Sequence, residues 1–191
     1  MSKGRLEAFS DGVIAILITI MVLELKVPHE ATLEALQPLG PVFLSYILSF
    51  VYLGTYWNNH HHLLQAAKVV DGRVLWANLH LLFWLSLFPF ATGWMGENSF
   101  AAVPTAVYGF VFLMAAVGYT ILVRALVAAP GQPAALAAAI GSDAKGKVSV
   151  IVFVAAIPVA LVAPLVSLAG YVAMLVWWFV PDRRMERALD R

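Results

Sequence analysis

The first long apolar run sets the pattern for the chain. From Phe9 to Leu23 nearly every position is apolar, broken by Ser10, Asp11, Gly12 and Thr19. At about 100° per residue, Gly12, Ile16, Ile20 and Leu23 fall within one narrow sector of a helix. Ser10 and Asp11 fall more than ~90° from that sector. One face therefore offers glycine and branched aliphatics, and another offers a hydroxyl and a carboxylate. An unpaired carboxylate in hydrocarbon is expensive, so Asp11 must face protein or water.

Read onward, the apolar runs predict helices over about 5–25, 41–64, 73–94, 103–127, 148–163 and 165–180. Pro28 ends the first, and 30–36 reads as a short interfacial helix. Asp71-Gly72 marks a turn, Pro89 a kink and 96–98 a loop. The stretch 129–147, rich in Ala, Gly and Pro, is the longest connection, and 181–191 is a charged tail expected in the cytoplasm. The fold class is an all-α integral membrane protein, with six transmembrane helices in one domain over 1–191.

Composition agrees. Of 191 residues, 62% are hydrophobic and 12% charged, against about 25% charged in a soluble domain. Several runs reach the ~20 residues that cross a bilayer. No cysteine is present, which excludes disulfides, thiolate metal sites and thiol nucleophiles. With six spans, every lysine and arginine except Lys26 falls on one side. That asymmetry puts both termini in the cytoplasm.

Orientation lets depths be compared. Asp11 lies near the cytoplasmic end of helix 1. Asn58, Asn59, His60, His61 and His62 on helix 2, and Asn78 and His80 on helix 3, reach a similar level. An interhelical polar cluster with Ser10 and Asp11 follows, each pair worth ~1 kcal/mol or somewhat more. A helix-packing lock is the first reading. Proton sensing by the histidines and a metal site are the alternatives, and consecutive histidines suit one ion poorly. Ser45, Ser49, Tyr52, Tyr56 and Asn59 make a second polar line on helix 2, read as helix contacts or a wetted surface. The aliphatic stripe on helix 1 reads, from its pattern alone, as core or lipid contact before pore lining. No HExxH, phosphate loop, supported Ser-His-Asp set or TVGYG filter is present, and the basic residues lack interleaved aromatics. An enzyme and a nucleic-acid partner are therefore not expected.

Arg5-Leu6-Glu7-Ala8-Phe9-Ser10-Asp11 resembles the RxxxFSD signature of the prokaryotic TMEM175-type (lysosomal potassium channel) family. Residues 78–89, NLHLLFWLSLFP, are similar to that family's third helix, and Tyr56-Trp57-Asn58-Asn59-His60-His61 to the end of its second. The resemblance implies a homotetrameric channel in the bacterial inner membrane, built without the usual carbonyl filter and with helix 1 lining the pore. By that likeness Ile16, Ile20 and Leu23 form the constriction, and Gly12 and Thr19 lie beside it. Arg5, Phe9, Ser10 and Asp11 belong with Asn59, His60, His61, Asn78 and His80 in a structural polar cluster. Its partners are lipid and monovalent cations. It has no cofactor and no fixed metal, only potassium in transit.

An aliphatic ring offers an ion no ligand. A cation must shed part of its hydration or widen the ring, and potassium sheds water more readily than sodium. The same ring can dewet and gate. Glu24, one residue beyond Leu23, is placed to concentrate cations at the outer mouth. Val22 falls on another face and is expected to be indifferent. The runner-up is a proton-permeable leak or proton-coupled transporter using Asp11 and the histidines. A membrane enzyme with a His/Asp site is third.

Overall fold

A computed structural model describes residues 2–133, 136–137 and 144–179. The charged tail expected over 181–191 lies outside the described residues, as does part of the 129–147 connection.

Helix α1 is Lys3–Ile20, followed by a 3-10 turn over Met21–Glu24. The first helix thus ends five residues before the expected Leu25. Its tighter last turn lets Leu25 N–H reach Val22 C=O at 3.1 Å, which serves a carbonyl that an α-helical end leaves open. A second 3-10 segment, Glu34–Leu39, replaces the interfacial helix expected over 30–36. Pro41 lies in the first turn of α2, Gly40–Ala66, where its missing N–H costs nothing.

Asp71 caps α3, Gly72–Ser86, by accepting from Val74 N–H at 2.9 Å. The single helix expected over 73–94 is in fact two. Inside one continuous helix the Pro89 ring would meet the Leu85 carbonyl, and the chain breaks at Leu87. It restarts as α4, Phe88–Glu97, which takes in Gly96 and Glu97 of the loop expected at 96–98 and leaves Asn98 in the turn. Gly96 sits in α4 because α2 crosses it there. A Cβ on Gly96 would strike Ser45 Oγ and lie 2.8 Å from Val42 Cα. Ser99 and Phe100, both at positive φ (48° and 60°), make the turn into α5, Ala102–Ala128. Helices α6, Ala144–Val162, and α7, Pro164–Phe179, form a hairpin broken at Ala163.

Four stretches are long and apolar enough to cross a membrane: Lys3–Glu24, Glu34–Ala66, Gly72–Glu97 and Ala102–Ala128. With α6 and α7 they give six transmembrane helices, α3 and α4 counting as one broken span. Helix α5 is the hub, packed against α3, α4, α6 and α7. Its approach to α7 needs Gly109, where a Cβ would strike the Tyr171 hydroxyl. Tyr108, Phe112, Phe153 and Tyr171 interlock there as a buried aromatic core. Helix α1 packs on α2 and α3 at the rim, and that position defines its two faces.

Candidate pore helix and its polar anchor

Helix α1 buries one line and exposes the other. Leu6, Ser10, Ile14 and Leu17, continued by Met21, are buried against the rest of the chain. Their spacing of 4, 4, 3 and 4 is that of a single helical stripe. Across the helix, Ile16 is 62% exposed, Ile20 44% and Leu23 75%. Leu23 keeps in line with Ile20 because residues three apart eclipse in a 3-10 turn. Gly12 and Thr19 share the exposed side. The Thr19 hydroxyl is held by its own helix, at 3.0 Å from Ala15 C=O and 3.1 Å from Ile16 C=O. Val22 is 46% exposed. The tighter turn moves it off the expected face, so it is not a neutral reference position.

The polar anchor is smaller than the sequence suggested. Its centre is a chain of three buried side chains from three helices. The Ser10 hydroxyl donates to Leu6 C=O at 2.8 Å, so its oxygen is left to accept from Asn78 Nδ2 at 2.9 Å. Asn78 Oδ1 then faces His60 Nε2 at 2.7 Å. With the amide so oriented, His60 must donate from Nε2, and its buried Nδ1 has no hydrogen-bond partner. Asp11, half-buried, stands beside this chain and not in it. It accepts from Trp57 Nε1 at 3.0 Å, and the Trp57 ring stacks on His61 at 6.0 Å.

The other expected members turn elsewhere. Asn59 is one residue, or about 100°, round from His60. It donates to Thr55 C=O, and its own carbonyl accepts from the Tyr119 hydroxyl. His80 accepts from Trp84 Nε1 at 3.0 Å and packs beside Gly118. Arg5 and Phe9 lie on the exposed side, Phe9 at 49%. The residue the sequence reading missed is Trp57. It lies at Asp11's depth, and its indole N–H was the donor left out when amides and imidazoles were counted.

The second polar line on α2 points inward. Ser49 Oγ meets Thr92 Oγ1 at 2.6 Å and the Tyr108 hydroxyl at 2.7 Å, and Tyr52 donates to the Tyr171 carbonyl. This upper part makes helix contacts. Lower down, Tyr56 and Asn59 border a small cavity with Tyr119, Phe153 and Trp178.

Past the C-terminal end of α1 Glu24 is exposed, yet its carboxylate rests on α4. A Cβ on Gly93 would lie 3.2 Å from Glu24 Oε2. Lys26 donates to Glu97 Oε1 at 2.6 Å. That bond and the Glu97 charge hold the Lys26 ammonium above its ordinary pKa of 10.5, and Glu24 adds to the effect. The folded value is the raised one, so the Lys26 side of the pair contributes fully just below pH 10.5. That contribution is lost as pH rises through the raised value.

The sequence model for the endosomal/lysosomal potassium channel TMEM175 matches residues 5–89, the stretch holding α1, the anchor and the constriction candidates. A protein named as a potassium channel in Chryseobacterium sp. (strain P1-3) is 51% identical over 189 residues, covering 99% of this chain and 98% of that protein. The chain belongs to the TMEM175 family. A protein named as a potassium channel in Chamaesiphon minutus is 37% identical over 60% of this chain and 61% of its own. The fold agrees with a crystal structure described as a lysosomal potassium-selective channel TMEM175 homolog, also from Chamaesiphon minutus. The TM-score is 0.73 at 27% identity, covering 93% of this chain and 96% of that one. The vertebrate TMEM175 from Gallus gallus, named as an endosomal/lysosomal proton channel, is 44% identical over 33% of this chain and 15% of its own length.

Proposed function

We propose that this chain is the subunit of a homotetrameric, potassium-permeable channel in the bacterial inner membrane, with both termini cytoplasmic. Four α1 helices surround the pathway, and Ile16, Ile20 and Leu23 form an aliphatic constriction. The observation that carries this reading is the two-sidedness of α1. One line of the helix is used up in intrachain packing, and the opposite line is aliphatic, exposed and directed away from the subunit. A helix at the rim of the chain with that division suits a shared axis. The 51% identity to a protein named as a potassium channel supports the choice of ion. Gly12 and Thr19 lie along the same side, and Thr19's hydroxyl is already engaged within its helix, which leaves the wall of the pathway apolar.

Such a wall works by dehydration and not by coordination. The barrier depends on ring width and on whether the ring holds water. In this reading Ser10 and Asp11 are anchors that set the rotation of α1 and do not meet the ion. No cofactor, metal or catalytic group has a place in it. The vertebrate relatives named as proton channels give the proton-permeable reading its support. Purified protein in liposomes under a potassium gradient, with a pH-sensitive dye in parallel, separates the two. Potassium flux with little proton movement is expected. Proton flux that persists without potassium, and that Asp11→Asn abolishes, would favour the alternative.

A further inference from the structure

Past buried Met21, the chain leaving α1 meets α4 with two side chains of opposite charge. There, Glu24 and Lys26 reach α4 at two points four residues apart, Gly93 and Glu97. Residues four apart lie on one helical face, so α4 presents both contacts together. Gly93 matters because it is bare. A Cβ there would stand 3.2 Å from Glu24 Oε2, close enough that the carboxylate would have to give by a few tenths of an ångström. Lys26 then reaches the last residue of α4 with a 2.6 Å charge-assisted bond. We propose that Lys26 and Glu97 are positioning residues whose ion pair straps the Met21–Glu24 turn to α4, fixing where Leu23 and Glu24 stand at the outer mouth.

The consequence for conduction rests on the pore reading; the strap itself does not. An exposed ion pair adds little to global stability. Its effect is local: the turn is held by buried Met21 on one side, and the strap limits how far the following residues swing. Two outcomes can be told apart by sign. If the pair acts only through its field, removing Lys26 and removing Glu97 must have opposite effects on cations. If the pair acts as a strap, breaking it from either end must have the same effect on position.

The test uses the absence of native cysteine. Leu23→Cys, at a position 75% exposed, is labelled with an uncharged thiol reagent that feels no surface field. The reaction rate is measured in the intact assembly, with wild-type, Lys26→Gln, Glu97→Gln and charge-exchanged Lys26→Glu/Glu97→Lys backgrounds. Both single variants should change the rate in the same direction, by about threefold or more, and the exchanged pair should restore it. Unchanged rates, or changes of opposite sign, would overturn the strap. Where Leu23→Cys assembles poorly, Glu24→Cys gives the same readout for the pair variants. Because labelling needs no ion flux, a protein that fails to conduct but shows the same-sign pattern keeps the strap and loses the pore reading. The reverse result loses the strap alone.

Discussion

Asn78 is the residue that makes the anchor directional. Its amide has one donor taken by Ser10 and its acceptor taken by His60, with no exposed surface left. Leucine at this site keeps the branching at Cγ and removes both bonds. The His60 N–H would then be buried without a partner, which costs about 1–3 kcal/mol. Interhelical bonds in membranes average nearer ~0.6 kcal/mol, because the unfolded chain in lipid also finds partners. Asn78→Leu is therefore expected to lose about 1–2 kcal/mol of stability, read as an earlier thermal midpoint in detergent, with ion preference unchanged in the molecules that remain folded. Altered preference at full stability would mean that the anchor reaches the pathway directly. The sequence exposed this site only in part. Depth along antiparallel helices brought Ser10, His60 and Asn78 to one level. It did not say which way each side chain turned round its helix, so Asn59, His61 and His80 were grouped with them and Trp57 was not.

At the scale of the element, the first helix was legible because its two faces differ in chemistry at the helical period. Pro41 and Asp71-Gly72 marked starts for the same kind of reason, since each has a fixed local consequence. The broken third span was harder. Pro89 was expected to bend one helix, and the structure interrupts it two residues earlier, at Leu87, because the ring acts on the turn that precedes it. The 3-10 turn over Met21–Glu24 carries no composition signal and moves Val22. For the exposed stripe the expectation is sharp. If the constriction is a barrier of apolar surface, its height falls when the ring holds water. Ile16→Asn should raise cation flux and weaken the discrimination of potassium from sodium, and Ile16→Phe should suppress flux. Cysteines at Ile16, Ile20 and Leu23 should react with small thiol reagents from the aqueous phase. Cysteine at Ile14, which is fully buried, should not. Reaction at position 14 without reaction at 16 would mean that α1 is rotated from the arrangement described.

At the scale of the whole molecule, the proposed homotetramer raises a question of assembly: what would bring four α1 helices together. Apolar surface alone is no driving force in lipid, whose chains cover Ile16 and Leu23 as well as another helix would. Close backbone approach is what membrane helices use instead, and small residues permit it. Helix α1 carries Gly4, Ala8 and Gly12 at successive intervals of four on its exposed side. A Cβ on Gly4 or Gly12 would meet nothing within 4 Å in its own chain. This line lies in the N-terminal half of α1, where added side chains at Gly4 or Gly12 would face away from the subunit's own packing. Gly12→Leu should therefore leave each subunit folded while it separates the subunits. Helical content and the thermal transition of the monomer should hold, and the mass in detergent should fall from that of four chains towards one. Gly109→Leu makes the opposite comparison. Its side chain would strike Tyr171 inside the subunit, so folding should fail before assembly is at issue. A tetramer that survives Gly12→Leu with its mass unchanged would mean that the first helices do not meet at Gly12, and the axis would have to be placed along another face of the chain.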